Sequence, residues 1–488
     1  MASKGLRPGV RATKGSAEPA SPRGIFTIAA AMVLCAAALG GRAGGTNLSE
    51  ALFQVLGVWL LLLLAFAPRR AASSRLVEAS LYLMIATLLL SLFQLIPLPQ
   101  GLWTSLSGEP VAASVYQAAG QGIGWRPLTL DIDATRDTIM TLLPPFALFL
   151  AMVEMNARER KWLALIVLAV ASVSIVLGLL QFASRTALYP YPTTHEGYSV
   201  GVFSNRNHQA DFTLIAALLA SAFYASRKPD GKPGGMLPVL VGLGLFALVA
   251  LNLMAAASRT GLLLAVPAFG ACAVLAFGSR LRRKSGLISA IAVVAVAAVF
   301  LALRPDLFTH VSDRFSDTND LRFETWPYIV QLITQYLPFG SGLGTFVPVY
   351  QSIESLDLVG PRYFNHAHND YLEVALEMGI PGLILVGCFF ALFAWAGWRA
   401  FRDMTRRDYR PFCAAAVIAI LLLLAHSAVD YSLRTSTLAV TLAVLMGLLM
   451  PLPETETRRR RGDQPWDADG ADEQVAHSSG TRHAVLSH

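Results

Sequence analysis

Apolar runs of about 20 residues, each long enough to cross a bilayer core of roughly 30 Å, recur along the whole chain. Backbone polar groups in lipid have no water to bond, so such runs span as helices. Only 15 % of the 488 residues are charged, against about 25 % in soluble domains. That deficit excludes an ordinary soluble enzyme, and the length excludes a single-pass receptor. The chain reads as an all-α polytopic membrane protein with about twelve transmembrane helices. The expected spans are 24–40, 51–68, 76–97, 136–155, 161–182, 209–226, 236–256, 260–279, 286–303, 377–398, 411–430 and 435–452. No internal repeat is evident.

Basic residues orient the spans. With the N-terminus cytoplasmic, segments 1–23, 69–75, 156–161, 227–235, 280–285, 399–410 and 453–488 carry 28 of the 39 Lys and Arg, including every lysine. Both termini are therefore expected inside, and the net charge of +7 is mostly an orientation signal rather than a nucleic-acid one. The first apolar run follows basic residues as in a signal peptide. It lacks a convincing cleavage site and reads as an uncleaved helix. The tail 453–488, rich in Arg, Asp, Gly and Ser, reads as disordered. Cys35, Cys272, Cys388 and Cys413 fall inside spans without metal-like spacing and read as small apolar residues.

Two outer segments are long, 98–135 and 304–376, and loops of that length are commonly functional. In the second, Phe323, Trp326, Val330, Ile333 and Leu337 recur at helical spacing. They suggest an amphipathic helix, lying either on the membrane boundary or against the bundle. The run Phe339-Gly-Ser-Gly-Leu-Gly-Thr345 superficially resembles a phosphate-cradling loop, but no strand precedes it, and a tight turn between loop helices is the plainer reading.

The outer segments hold 11 arginines and no lysine. Arginine pairs with phosphate oxygens in bidentate fashion. Arg259, Arg322 and Arg206 stand out. Arg259 lies between two apolar runs with almost no loop, where a charge is costly and commonly functional, although snorkelling to lipid phosphate would also place it there. Arg314 and Arg362 are weaker candidates. A second constellation, Asn365-His-Ala-His-Asn-Asp-Tyr-Leu-Glu373, precedes span ten. His366 or His368 could serve as a general base near neutral pH, with Asn369, Asp370 and Tyr371 in support. Zinc binding and plain hydrogen bonding at a helix start are the alternatives; no third metal ligand has a recognisable spacing. His426 and Asp430, four apart, read as a structural pair on one helix face. Asp211 is ambiguous, and Asn252 reads as a helix–helix hydrogen-bonding residue.

The run His366-Ala-His-Asn-Asp-Tyr-Leu-Glu-Val-Ala-Leu-Glu-Met-Gly-Ile-Pro-Gly382 resembles the signature of the O-antigen ligase and polymerase superfamily. Ser258-Arg-Thr-Gly261, Arg322 four residues before Trp326, Gly340-Ser-Gly-Leu-Gly344 and Phe203-Ser-Asn-Arg-Asn-His208 resemble further motifs of it, in the same order. The resemblance implies a transmembrane glycosyltransferase domain over 24–452, including a periplasmic loop 304–376, between cytoplasmic tails 1–23 and 453–488. It also implies an inverting, metal-independent, cofactor-free enzyme of the bacterial inner membrane. The donor would be an undecaprenyl-pyrophosphate-linked glycan, and a ligase would use lipid A-core as acceptor. A repeat-unit polymerase or protein O-oligosaccharyltransferase are alternatives, with a glycan flippase or other transporter further off. By this resemblance His368 matches the base and Arg259 and Arg322 the pyrophosphate-holding arginines. The role of His366 is left open.

Overall fold

A computed structural model of the protein describes residues 23–43, 48–67, 74–106, 108–227, 236–278, 321–355 and 363–453. Helices stand where eleven of the twelve expected spans fall. They are α1 (Arg23–Leu39), α2 (Leu48–Phe66), α3 (Arg75–Phe93), α6 (Ile132–Glu154), α7 (Ala157–Ser184), α8 (Arg206–Ser226), α9 (Met236–Ala256), α10 (Arg259–Phe277), α13 (Asp370–Asp403), α14 (Arg410–His426) and α15 (Ser436–Leu449). Six of these (α3, α6, α7, α8, α10 and α13) are long and apolar enough to cross a membrane. The span expected at 286–303 and both tails lie outside the described residues.

The helix starts are written in the sequence. Asn156 and Glu159 form a reciprocal capping box on α7, and Asp131 accepts the Ala134 N–H at the start of α6. The core gathers α1, α6, α7, α8, α14 and α15 around small and branched residues such as Ala147, Leu163, Leu219, Ala419 and Val444. Asn252 does bond across helices: it accepts from Thr213 Oγ1 (2.8 Å) and donates to Ser199 Oγ (2.8 Å) and the Ile175 carbonyl (3.1 Å). The outer helices keep apolar exteriors: Leu89, Val266 and Ile384 are each at least 60 % exposed. Such exteriors suit lipid, which is as apolar as they are.

Between α3 and α6, a two-residue hairpin pairs Pro97–Leu98 with Arg126–Pro127 and encloses two short helices, α4 (Gln100–Trp103) and α5 (Glu109–Ala118). The amphipathic helix of the second long segment is α11 (Leu321–Tyr336), followed by the short α12 (Phe346–Gln351). Ile329, Leu332 and Tyr336 are buried with Trp326 and Ile333 packed against them, whereas Phe323 and Val330 are 58 % and 47 % exposed. Trp326 Nε1 donates to the Ala367 carbonyl at 3.1 Å and ties the helix to the turn before α13. The glycine run is a turn between α11 and α12, as its composition suggested. Gly340, Gly342 and Gly344 all have positive φ (82°, 113° and 84°).

That turn is backed onto a break in α13. Gly379 (φ 59°, ψ −149°) interrupts the helix, and the Ile380 N–H donates to the Pro338 carbonyl at 2.9 Å. The Ser341 and Gly342 N–H groups donate to the carbonyls of Leu376 and Glu377. A Cβ on Gly379 would lie 2.1 Å from the Pro338 oxygen. Only glycine allows the two segments to meet this closely.

Candidate active site

Asn369 caps α13 by accepting the N–H groups of Tyr371 (3.0 Å) and Leu372 (3.1 Å), and the Asp370 N–H donates to the Ser427 carbonyl at 2.8 Å. Just before this cap, His368 has φ 48°, a conformation uncommon for a side-chain-bearing residue outside strained or functional positions. The turn swings its imidazole toward the segment after α14, where Asp430 is fully buried.

Asp430 is the centre of the site. Its carboxylate is 3.5 Å from His368 Nδ1, 3.8 Å from His208 Nε2 and 3.6 Å from Arg322 Nη2. It also accepts from Asn207 Nδ2 and from the Tyr431 N–H (2.8 Å). Arg322 is held in turn by the Val429 carbonyl, 2.8 Å from Nη1. Burial works against charge on Asp430, but the Arg322 guanidinium and the facing imidazoles of His208 and His368 hold its carboxyl well below the usual carboxylate range. Burial lowers the pKa of His368, and Arg322 adds to that effect while Asp430 opposes it. The imidazole is therefore neutral at ordinary pH and free to take a proton. Its separation from Asp430 exceeds a good hydrogen bond, as is common for catalytic groups before substrate arrives.

Tyr431 touches both this cluster and a second one. Its ring lies 4.8 Å from His368, 5.0 Å from His208 and 4.5 Å from His366. Burial pushes its phenol up to about 12, so it keeps its proton. In the second cluster, Glu373 accepts from His366 Nδ1 (2.8 Å) and the Ala367 N–H (2.9 Å). Arg434 reaches Glu377 (3.1 Å), Glu373 (3.5 Å) and Asp370 (3.6 Å). Burial disfavours its charge, but these carboxylates raise its pKa above the ordinary arginine value. The second cluster heads a cavity of ≈ 1110 Å³ that runs down between α3, α6, α13 and α15.

The remaining expected residues are placed as follows. Arg206 opens α8, is buried, and stacks its guanidinium 4.3 Å over the Tyr198 ring. Arg259 opens α10 behind the cap Ser258, where Gly261 packs against Ala210 of α8. Both arginines therefore sit at the same end of adjacent helices. Tyr371 donates to the Leu424 carbonyl at 2.7 Å and ties α13 to α14. Arg314 and Arg362 lie outside the described residues.

One expectation is corrected. His426 does not pair with Asp430 on a helix face, because α14 ends at His426 and the chain turns. His426 Nδ1 bonds Asp211 instead, at 2.6 Å, and Ser432 Oγ donates to the other Asp211 oxygen at 2.6 Å. The sequence reading also passed over Asp430 as a site residue, together with Arg434, His208 and His195. His195 borders the cavity, and burial together with Arg206 lowers it to about 3. The available signal was the run Asp430-Tyr-Ser-Leu-Arg434, two opposite charges between apolar segments.

The ends of α8, α13 and α14 thus hold histidine and carboxylate groups together with Arg322, and Arg259 opens α10 beside the start of α8, within a polytopic α-helical membrane protein. The family model described as O-antigen ligase matches residues 244–387, from within α9 to within α13. That match supports the resemblance to the O-antigen ligase superfamily that the motifs indicated. The matched segment includes Arg259, Arg322, the glycine turn and the His366–Gly382 run. No curated protein matches the chain.

Proposed function

We propose that the protein is a membrane glycosyltransferase of the O-antigen ligase type. It moves a glycan from undecaprenyl pyrophosphate to a hydroxyl of a lipid A-core sugar, on the periplasmic side of a bacterial inner membrane with both termini cytoplasmic. The observation that carries this reading is the meeting of Arg322, His368 and Asp430 inside the superfamily domain and the turn beside it.

The chemistry follows from those groups. The acceptor oxygen attacks the anomeric carbon and forms the new C–O bond from the face opposite the leaving group, so configuration inverts. The bond between that carbon and the pyrophosphate oxygen breaks, and its electron pair leaves on the phosphate. Arg322, fixed by Val429 and Asp430, stabilises that charge together with Arg259, with Arg206 nearby; pre-oriented cations are most effective in a partly dry site. The acceptor proton passes to the neutral imidazole of His368. Asp430 then faces the imidazolium and favours it. Asn369 fixes the helix start behind His368, and His366, Asp370 and Tyr371 support the loop. No metal or cofactor is required for these steps, and the partners are the two lipid-linked glycans and the surrounding lipid rather than nucleic acid.

Deletion of the gene tests the assignment, with lipopolysaccharide and carrier-linked glycans read by gel and mass spectrometry. Ligase loss strands long glycans on the carrier and leaves core bare. Core carrying a single repeat instead would make the protein a polymerase, and loss of protein glycosylation alone would make it an oligosaccharyltransferase. Unaltered glycans in all three pools would sink the reading.

A further inference from the structure

We infer that His366 is a sugar-binding residue: Glu373 holds one edge of its imidazole, and Nε2 bonds a glycan hydroxyl at the head of the cavity. This rests on the glycosyl-transfer reading above and gives the second histidine of the motif a role in it.

The ring is oriented without a ligand. His366 Nδ1 donates to Glu373 Oε1 at 2.8 Å. Glu373 is itself fixed, because Oε2 accepts the Ala367 N–H at 2.9 Å and Arg434 Nη2 lies 3.5 Å from Oε1. The imidazole also packs on Tyr431, with ring centroids 4.5 Å apart and planes tilted by 35°. Turning it would break a bond to a buried carboxylate, which is costly. The bond at Nδ1 also decides what Nε2 offers. With the proton of the neutral ring on Nδ1, Nε2 presents a lone pair.

No described residue bonds that nitrogen. It is not sealed in the protein either, unlike His368 Nδ1 and both Asp370 oxygens. The His366 side chain is 14 % exposed and borders the cavity. A ligand in the cavity can therefore reach Nε2.

A hydroxyl is the matching group. It can donate to the lone pair, whereas an ionised phosphate oxygen has no proton to give. The neighbouring wall is of the same kind, since Thr194, His195, Tyr363 and Asn365 bring uncharged hydrogen-bonding groups to it. His195 belongs with them because burial and Arg206 lower it to about 3. A few placed polar groups of this sort fix a ligand's orientation.

The position also suits the reaction. His366 and His368 are two residues apart and both lie against Tyr431. His195 is within electrostatic reach of Arg206, Arg322 and Asp430. A sugar bonded at His366 thus stands beside the groups that act on the donor bond. The hydroxyl belongs to the donor glycan or to the acceptor sugar, and kinetics tell the two apart.

The test uses the full chain in liposomes, with an undecaprenyl-pyrophosphate-linked glycan as donor and lipid A-core as acceptor. Two substitutions separate the ring's nitrogens, since an asparagine amide reaches the place of Nδ1 and a glutamine amide that of Nε2. His366→Asn keeps the Glu373 bond and loses the sugar bond. It should raise KM for one substrate roughly 3–10-fold, as expected for one neutral hydrogen bond, with kcat within about two-fold. His366→Gln should keep that KM within about two-fold of wild type. A rise in donor KM gives the hydroxyl to the donor glycan, and a rise in acceptor KM gives it to the acceptor. Unchanged KM values in His366→Asn overturn the inference, as does an equal rise in His366→Gln; either result leaves a purely structural pair with Glu373. A fall in kcat of roughly 10²-fold or more with both KM values unchanged also overturns it and makes His366 a proton carrier. Equilibrium binding of each glycolipid to the chain in nanodiscs is measured alongside. If the wild type transfers nothing, the functional reading fails and binding decides the contact. Weaker binding of one glycolipid to His366→Asn but not to His366→Gln upholds it; equal binding by all three proteins, or by none, rejects it.

Discussion

Asp430 shows why the site works as a unit. One carboxylate faces a cation, two imidazoles and an amide, so removing any partner changes the field at the others. His368→Ala should lower glycan transfer by roughly 10²–10⁴-fold, the usual contribution of a positioned base, with membrane insertion unchanged. An active, well-inserted variant would show that another group takes the proton. The pH profile gives a second check. A base must be deprotonated to act, and the pKa of His368 lies below its ordinary 6.5. The rate should therefore stay level as pH falls through 6.5 and decline only below it. A rate already halved at or above pH 6.5 would exclude His368. His368 and Arg322 were legible because each sits in a motif whose residue types already suggest phosphate and proton chemistry. Asp430 was hidden because the i,i+4 spacing from His426 suggested a continuing helix. The turn after His426 that exposes Asp430 to Arg322 depends on tertiary packing, which spacing alone does not encode.

At the scale of elements, the site depends on two chain segments that meet through glycine. The turn at Gly340–Gly344 and the break at Gly379 share three backbone hydrogen bonds, which fix where Glu377 and the first half of α13 stand. Gly379→Ala would put a side chain at φ 59°, ψ −149°, a region reserved almost entirely for glycine, costing on the order of 1–3 kcal/mol from the conformation alone. Its Cβ would also press on the Pro338 oxygen. Lower thermal stability and reduced transfer should follow together. Gly387→Ala, in the same helix with open space around it, should leave both unchanged; equal damage from the two would refute the packing argument. The composition of Phe339–Thr345 made the turn legible, but its docking partner was not. Which apolar residues of α11 are buried was equally out of reach, since its Phe323/Val330 side and its Ile329/Leu332/Tyr336 side are both apolar.

For the whole molecule, basic residues have two uses that a count by segment cannot separate. Arg160 belongs to the 156–161 group that helps set orientation, yet it is fully buried. It donates to five carbonyls, those of Val153, Met155, Gly447, Met450 and Pro451, at 2.7–3.1 Å. It thus binds the ends of α6 and α15 together. Arg160→Met should cost on the order of 3 kcal/mol or more, because those carbonyls lose a charged donor. A clear fall in the thermal midpoint in detergent checks it, and an unchanged midpoint would remove the clamp. Discounting Arg160 still leaves 27 basic residues on the predicted cytoplasmic side, so sidedness does not depend on it. That sidedness matters to function, since the site lies at the ends of α8, α10, α13 and α14 that the count assigns to the outside. In a variant with Cys35, Cys272, Cys388 and Cys413 replaced, single cysteines at Ala119 and Glu196 should react with an impermeant maleimide in intact cells. Cysteines at Arg227 and Arg407 should react only after the membrane is opened. The reverse pattern would put His368 in the cytoplasm, where a donor already carried outward could not reach it.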